Sequence, residues 1–254
     1  DRSAVEAGTP AIELMRRAGR GVADAIVERF TPRPTVVLCG PGDNGGDGYV
    51  VAAALAERGW TVWVERLAPP RSPSAQLAAA DWDGDTYDLD GAGREPDLIV
   101  DALFGAGLDR PLDAACARWA RRSEQHPEQV VAVDLPSGLS GDNGRPVGEA
   151  AFCAALTVTF HSRKPGHLLE PGAQRCGEVV VVDIGLGPVE CQLVENGPEA
   201  WLGAFPWPTA QSHKHARGRL VVVSGDAWST GAARLSSRAG LRIGAGLVKI
   251  GRAH

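Results

Sequence analysis

The sequence lacks several features that would indicate a nucleic-acid or membrane partner. Its 26 lysine and arginine residues are outnumbered by 31 aspartate and glutamate residues, giving a formal net charge of −5, which argues against a broad basic face for nucleic acid. No apolar run reaches the roughly 18 residues that a membrane helix needs. The chain opens with the polar DRSAVE and shows no signal peptide. We therefore expect no nucleic-acid partner, no membrane partner and a cytoplasmic location.

Cysteine pairs are also missing. The five cysteines are widely spaced, odd in number and never form C-x-x-C. This pattern argues against a zinc site and against a disulfide framework, and it is typical of a protein in a reducing compartment. Cys39 stands at the end of an apolar run, where a buried thiol is a better interpretation than a nucleophile.

The stretch TVVLCGPGDNGGDGY, residues 35–49, dominates what is present. A β-branched run leads into five glycines, and a helical pattern, predicted over residues 46–58, follows. A strand, a glycine loop and a helix in this order place backbone N–H groups and a helix N-terminus against an anionic group. Residues 40–45 also satisfy G-x-G-x-x-G. Glu65 ends the next predicted strand, residues 60–65, where a dinucleotide-binding protein would place an acid on a ribose.

The rest of the first 190 residues reads as a series of β-α units. Helices are predicted over residues 10–30, 72–80 and 112–122, and further strands over residues 97–101, 130–134, 156–160 and 179–183. An acidic turn is predicted at residues 81–85. Short apolar strands alternating with helices predict an α/β fold, a three-layer α/β/α Rossmann-like arrangement with a mostly parallel sheet.

Polar residues follow three of these strands. Asn44 and Asp47 come after the first, Asp101 ends another, and Asp134 and Ser137 follow the next. Loops at the carboxyl ends of parallel strands share one edge of the sheet, where ligands bind. We therefore expect these side chains to meet in one site.

Four ordered motifs then identify a family. GPGDNGGDGYVVA, DALFGAGLDRPL, AVDLPSGLSGDNG and VTFHSRKPGHLLEPGAQRCGEVVVVDIGL closely resemble the NAD(P)HX epimerases, also called YjeF N-terminal domains, over about residues 1–190. The resemblance implies an enzyme that interconverts the R and S epimers of hydrated NADH and NADPH, so that a stereospecific dehydratase can complete their repair. It also implies a homodimer, which no sequence feature demonstrates.

The same resemblance assigns the site. It implies a potassium ion held by Asn44, Asp101 and Ser137, and Asp134 as the residue that contacts the reacting nicotinamide. The residues implied to line the dinucleotide are Asp43, Asn44, Gly45, Gly46, Asp47, Gly105, Ala106, Gly107, Leu108, Asp109, Arg110 and Pro111. Asp43 stands where the family commonly has a second asparagine, which puts its contact with a phosphate in doubt.

The chemical groups of these side chains are of the types that this assignment requires. Amide, carboxylate and hydroxyl oxygens are the ligands that a hard monovalent cation prefers. Epimerising a carbon that carries a hydroxyl needs a proton delivered and removed, and Asp134 is our first choice for that acid/base. Lys164 is a candidate for phosphate binding or proton transfer, with a solvated surface lysine as the alternative. Ser137 is a better ligand than nucleophile, since no nucleophile elbow surrounds it.

The last 60 residues are organised differently. We predict an epimerase domain over residues 1–197, a linker rich in proline and tryptophan over 198–213, and an incomplete β-α-β start of a second α/β domain over 214–254. That last part resembles the opening of a ribokinase-like NAD(P)HX dehydratase, whose activity we do not expect from this fragment.

Two other functions stay open from the sequence. One is a conventional NAD(P)-dependent oxidoreductase based on G-x-G-x-x-G and Glu65. The other is a non-catalytic module that binds a nucleotide or a protein.

Overall fold

The computed structural model describes residues 8–187, 191, 193–226 and 228–252. The chain forms two compact units, Asp1–Pro188 and Val189–His254. The residues predicted as a linker, 198–213, fall inside the second unit. They include the short helix α6, Pro198–Trp201, and a 3-10 turn at Leu202–Ala204.

The first unit is built on one seven-stranded sheet in the order β3-β2-β1-β4-β5-β6-β7. Every pairing in it is parallel. The strands are β1 (Thr35–Cys39), β2 (Val62–Arg66), β3 (Thr86–Asp88), β4 (Leu98–Ala102), β5 (Val130–Val133), β6 (Leu156–Phe160) and β7 (Glu178–Val182). The Rossmann-like α/β prediction is confirmed. The short edge strand β3 was missed, because its TYD sequence carries no apolar run.

Helices cover both faces of this sheet. They are α1 (Ala11–Arg29), α2 (Asp43–Ala56), α3 (Pro73–Ala80), α4 (Ala114–Gln125) and α5 (Gly172–Cys176). Successive residues of a strand point to opposite faces, so Val37 joins a core with α1, α2 and α3. Its neighbour Val36 joins a second core with α4. These two apolar cores give the three α/β/α layers.

The strand order fixes where a ligand can bind. From β1 the chain runs outward through β2 to β3, and then returns to β4 on the other side of β1. In a doubly wound sheet, the crevice at such a reversal, beyond the carboxyl ends of the strands, is the usual ligand site. The loops after β1 and β4 therefore face one another across it.

The second unit contains β8 (Arg219–Ser224), α7 (Gly231–Ile243) and β9 (Leu247–Arg252). β8 and β9 pair in parallel. Val221, Val223 and Ile250 remain more than half exposed, since two strands and one helix bury little apolar surface. In the part of the chain that the structure describes, no helix combines the length and apolarity needed to cross a membrane.

Candidate active site

A cavity of about 850 Å³ opens at the carboxyl ends of the strands, at the reversal between β1 and β4. Eleven of the residues predicted for the substrate line it: Asp43, Asn44, Asp47, Gly105, Ala106, Gly107, Leu108, Asp109, Arg110, Asp134 and Lys164. Ligand pockets commonly have volumes of roughly 300–1,000 Å³. The cavity is therefore large enough for a nucleotide-sized molecule.

The glycine-rich stretch is a loop only over residues 40–42 and is helical from Asp43 onward. α2 begins at Asp43, three residues earlier than predicted, with Gly42 as its N-cap. A Cβ on Gly45 would lie 1.8 Å from the carbonyl oxygen of Gly40, and one on Gly46 would lie 2.5 Å from Cε of Met15. These glycines therefore let the helix pack closely against its neighbours.

The start of α2 gives the cavity a positive wall. The first three N–H groups of an α-helix have no intrahelical acceptor, and here they belong to Asp43, Asn44 and Gly45. Together with the helix dipole they favour an anion. The negative charge of Asp43 weakens this attraction only in part, because its Oδ1 accepts a hydrogen bond from the hydroxyl of Ser72, the N-cap residue of α3.

Asp134 lies on the cavity wall directly after β5. Its backbone adopts a left-handed conformation, with φ of 66°, which is uncommon for a non-glycine residue and concentrates at functional sites. Its Oδ2 accepts a hydrogen bond from the N–H of Ala106 at 3.0 Å, and its Oδ1 accepts one from the Thr159 hydroxyl at 3.0 Å. The carboxylate is therefore held on both oxygens.

Lys164 completes the setting of this carboxylate. Its Nζ lies 2.6 Å from Asp134 Oδ1, 2.6 Å from Thr159 Oγ1 and 3.3 Å from the carbonyl oxygen of Phe160. Burial alone would raise the pKa of Asp134, but the ammonium charge and hydrogen bond of Lys164 outweigh it and lower that pKa below its ordinary value. Asp134 is thus a carboxylate at neutral pH. The surface-lysine alternative for Lys164 is not supported, since only 27% of its side chain is exposed.

Asp101 and Ser137 meet beneath the cavity. The Ser137 hydroxyl lies 2.6 Å from Asp101 Oδ1, and the Ser137 N–H donates to Oδ2 at 2.7 Å. The same hydroxyl accepts from the N–H of Phe104 at 2.9 Å and lies 3.0 Å from its carbonyl oxygen. Asp101 is fully buried, which raises its pKa to about 6 against the opposing hydrogen bonds of Ser137 and Leu103. Among the described residues, no basic side chain is paired with it.

Asn44 carries an unsatisfied polar group. Within the described structure its buried Nδ2 has no hydrogen-bond partner. Rotating the amide would instead present a carbonyl oxygen at that place. Asp47, one turn further along α2, lies on the same cavity. Burial and then the negative charges of Asp134 and Asp43 raise its pKa well above the ordinary value.

Four residues with predicted or suggested roles lie elsewhere. Gly45 and Gly46 are buried within helix packing, and Pro111 is exposed and packs beside Gly148. Glu65 is 2% exposed and accepts hydrogen bonds from the N–H of Asp90 and from the indole of Trp63. Its carboxylate is therefore occupied within the protein, and this removes the main support for the oxidoreductase alternative.

Sequence reasoning missed two residues of the site. Thr159 is fully buried on β6 and bridges Asp134 to Lys164. Its signal was present, since LTVTF places two hydroxyls, those of Thr157 and Thr159, in an otherwise apolar buried strand. His167 contacts the main chain of both Asp134 and Lys164, and nothing in its local sequence indicates that role.

Comparisons with known proteins show which family the chain is similar to. Residues 11–166 match the family described as YjeF-related protein N-terminus. The chain is 38% identical to the bifunctional NAD(P)H-hydrate repair enzyme Nnr of Pyrobaculum aerophilum, over 98% of this chain and 52% of that protein. It is 40% identical to the NAD(P)H-hydrate epimerase of Roseobacter litoralis, over 69% of this chain and 89% of that protein. The chain thus spans about half the length of the bifunctional relative.

One solved structure is similar in fold. The crystal structure of the yeast protein ynu0, YNL200c, matches with a TM-score of 0.56 over 73% of this chain and 88% of that chain. The two sequences are 22% identical, so this likeness bears on the fold alone.

Proposed function

The chain belongs to the family of YjeF-related protein N-termini, and we propose that its site interconverts the R and S epimers of hydrated NADH and NADPH. The observation that supports this most directly is the Asp134–Lys164 pair, which holds an ionised carboxylate on the wall of a nucleotide-sized cavity. The names of the relatives point the same way, since one of them is an NAD(P)H-hydrate epimerase. We assign the activity to the first unit, which contains the family match at residues 11–166.

The dinucleotide is held by main chain and by a few cations. The N–H groups of Asp43 and Asn44, at the start of α2, take an anionic phosphate, and the dipole of the helix adds to the attraction. Gly107 leaves space for a close approach, since a Cβ there would meet nothing within 4 Å. Arg110 and Arg71 also line the cavity and supply the positive charge that an overall acidic chain lacks. The loop from Gly105 to Arg110 forms the opposite side.

Asp134 and Lys164 manage the proton. In the proposed route the Asp134 carboxylate takes the proton of the substrate hydroxyl while the ring C–N bond at that carbon breaks and a C=O bond forms, and the Lys164 ammonium, hydrogen-bonded to the same Oδ1, protonates the released ring nitrogen. Ring closure on the other face of the C=O group reverses both transfers and gives the other epimer. An epimerase runs in both directions, so the same pair must both accept and donate. Thr159 is hydrogen-bonded to both side chains and so holds the Asp134 carboxylate and the Lys164 ammonium in position relative to each other. These roles extend the acid/base assignment of Asp134 to a pair.

We also propose that the site binds a potassium ion. Asn44, Asp101 and Ser137 supply amide, carboxylate and hydroxyl oxygens, which suit a hard cation. Two observations favour it: the partnerless amide nitrogen of Asn44, and a buried Asp101 carboxylate for which the described residues offer no positive charge. When bound, the ion would neutralise Asp101 and draw the loops after β1 and β4 together. We further propose a homodimer, by family resemblance, and a cytoplasmic location, from the cysteine pattern and the composition.

The test is direct. Pure S- or R-NADHX is incubated with the chain, with and without potassium, and the epimer ratio is followed by NMR or chromatography. We expect approach to the equilibrium mixture well above the spontaneous rate, fastest with potassium. Dinucleotide binding with no change in epimer exchange would instead favour a non-catalytic binding module, and hydride transfer to a carbonyl substrate would favour an oxidoreductase.

A further inference from the structure

His167 links the two proton-handling residues through their main chains. Its ring is 4% exposed and belongs to the 3-10 turn Pro165–His167. Nε2 lies 2.7 Å from the carbonyl oxygen of Asp134, and Nδ1 lies 2.9 Å from the backbone nitrogen of Lys164. Both ring nitrogens are therefore used within the site.

These two contacts fix the protonation state of the ring. The N–H of Lys164 can only donate, so Nδ1 must accept and carries no proton. The carbonyl of Asp134 can only accept, so Nε2 must carry the proton. Burial lowers the pKa of His167. The contact with Asp134 raises that pKa, and the nearby positive charges of Lys164 and Arg163 lower it further. The ring is thus neutral with the proton on Nε2.

The same contacts explain how Asp134 keeps its left-handed backbone. Its N–H donates to the carbonyl of Val158 at 2.8 Å, and its own carbonyl is held by His167. A conformation of this kind costs roughly 1–3 kcal/mol and persists only where the surroundings fix it. With the main chain fixed, the carboxylate points to Ala106, Thr159 and Lys164.

We propose that His167 is a positioning residue that sets the geometry of the Asp134–Lys164 pair through one neutral imidazole. The ring holds the main chain at both ends of the ion pair, so losing it would loosen donor and acceptor together. This role rests on the proposed function, because it matters only if the pair moves the proton. His167 itself does not line the cavity, and in this proposal it does not contact the substrate.

Kinetics of the whole chain test the role. His167→Ala removes both contacts, and a misplacement of about 1 Å at a catalytic group can cost about 100-fold. We expect kcat for epimer exchange to fall by about 10- to 100-fold, with KM near the wild-type value. His167→Gln keeps an N–H donor for the Asp134 carbonyl and should recover much of the loss. His126→Gln is the matched control, since His126 is exposed and its ring contacts Glu128; it should not change kcat.

A second set of measurements separates positioning from general stability. In a Lys164→Ala background, His167→Ala should cost far less than in the wild type, because the pair it positions is already lost. Wild-type kcat in His167→Ala, or an equal loss in both backgrounds, would overturn the proposal. So would a His167→Gln variant as slow as His167→Ala.

The ring itself can be observed without turnover. Long-range nitrogen–proton NMR spectra, assigned with His167→Gln, should show His167 with a bare Nδ1 and a protonated Nε2 at pH 7. A proton on Nδ1 would overturn the geometry. Because this readout needs no activity, a wild-type chain that fails to exchange the epimers would contradict the proposed function while leaving the positioning geometry separately tested.

Discussion

Replacing Lys164 by methionine tests whether the ion pair holds Asp134 ionised. The change keeps side-chain length but removes the ammonium that lies 2.6 Å from Asp134 Oδ1. Breaking a buried ion pair from one side costs about 3–5 kcal/mol, because the remaining charge loses its partner. Here 16% of the Asp134 side chain and 27% of the Lys164 side chain stay exposed, and Ala106 and Thr159 still donate hydrogen bonds. We therefore expect Lys164→Met to lower the free energy of unfolding by about 2 kcal/mol.

That free energy has two measurable consequences. At 1.36 kcal/mol for each pKa unit, the pKa of Asp134 should rise by about 1.5. The melting temperature at pH 7 should fall by about 4–8 °C, at roughly 2–4 °C for each kcal/mol in a chain of this size. Epimer exchange should fall as well, because the pair loses its proton donor.

The pH dependence follows from the sign of the shift. In the wild type the pKa of Asp134 is lowered, so its stabilisation is present above the unfolded value, near 4, and is lost as the pH falls through the folded value. The variant lacks this contribution. The difference in melting temperature should therefore be largest near pH 7 and shrink as the pH falls below 4, through the folded pKa of Asp134.

Thermal unfolding at several pH values measures this difference. Lys214→Met is the matched control: it removes the same charge from an exposed position in the second unit and should leave the melting temperature unchanged. If Lys164→Met unfolds at the same temperature as that control at pH 7, or if its loss is equal at pH 7 and at a pH well below 4, the ion-pair reasoning is refuted.

Three further predictions concern the cavity wall. Gly105→Ala places a Cβ 2.8 Å from Asp134 Oδ2 and 3.3 Å from Asn44 Oδ1, so exchange should fall by at least about 10-fold; an Ala variant with wild-type kcat would contradict this close approach. Asp47→Asn removes a carboxyl whose pKa is raised. The melting temperature should therefore rise by about 2–4 °C at pH 8 and match that of the wild type near pH 4. A variant that melts below the wild type at pH 8 would contradict this prediction. Potassium should strengthen dinucleotide binding in the wild type but not in Asn44→Ala, as measured by calorimetry in potassium and lithium buffers; equal affinities in both buffers for the wild type would remove the ion from the account.

Much of the fold follows from local patterns. Runs such as TVVLC and LTVTF are short, β-branched and apolar, and they form β1 and β6. Because parallel strands bring their carboxyl ends to one edge, Asp134 and Asp101 could be expected near Asn44 before any contact was known. That expectation needed only strand order and direction, which the alternation with helices supplies.

Helix α2 shows where local patterns fail. The stretch DNGGDG has low helix propensity and looks like a loop, so its first turn was placed three residues too late. The glycines are there because a Cβ at Gly45 or Gly48 would meet neighbouring main chain or side chain at 1.8 Å or 2.7 Å. Such close packing is a tertiary property, and no window of sequence contains it.

The site shows the same limit. Lys164 was only one of two open interpretations, and Thr159 and His167 were not recognised at all. Each acts on Asp134 from 25 to 33 residues away, through contacts made by β6 and the turn that follows it. The sequence predicts the residues that face the cavity better than those that hold them in place.

The most direct test compares wild type and Asp134→Asn with one pure epimer of NADHX. Asparagine keeps the shape and one acceptor oxygen, for either Ala106 or Thr159, but can neither accept nor return the proton. The account predicts that the wild type restores the equilibrium mixture, while Asp134→Asn binds the dinucleotide and leaves exchange at the spontaneous rate. Exchange by Asp134→Asn at the wild-type rate, or none by the wild type, would contradict it.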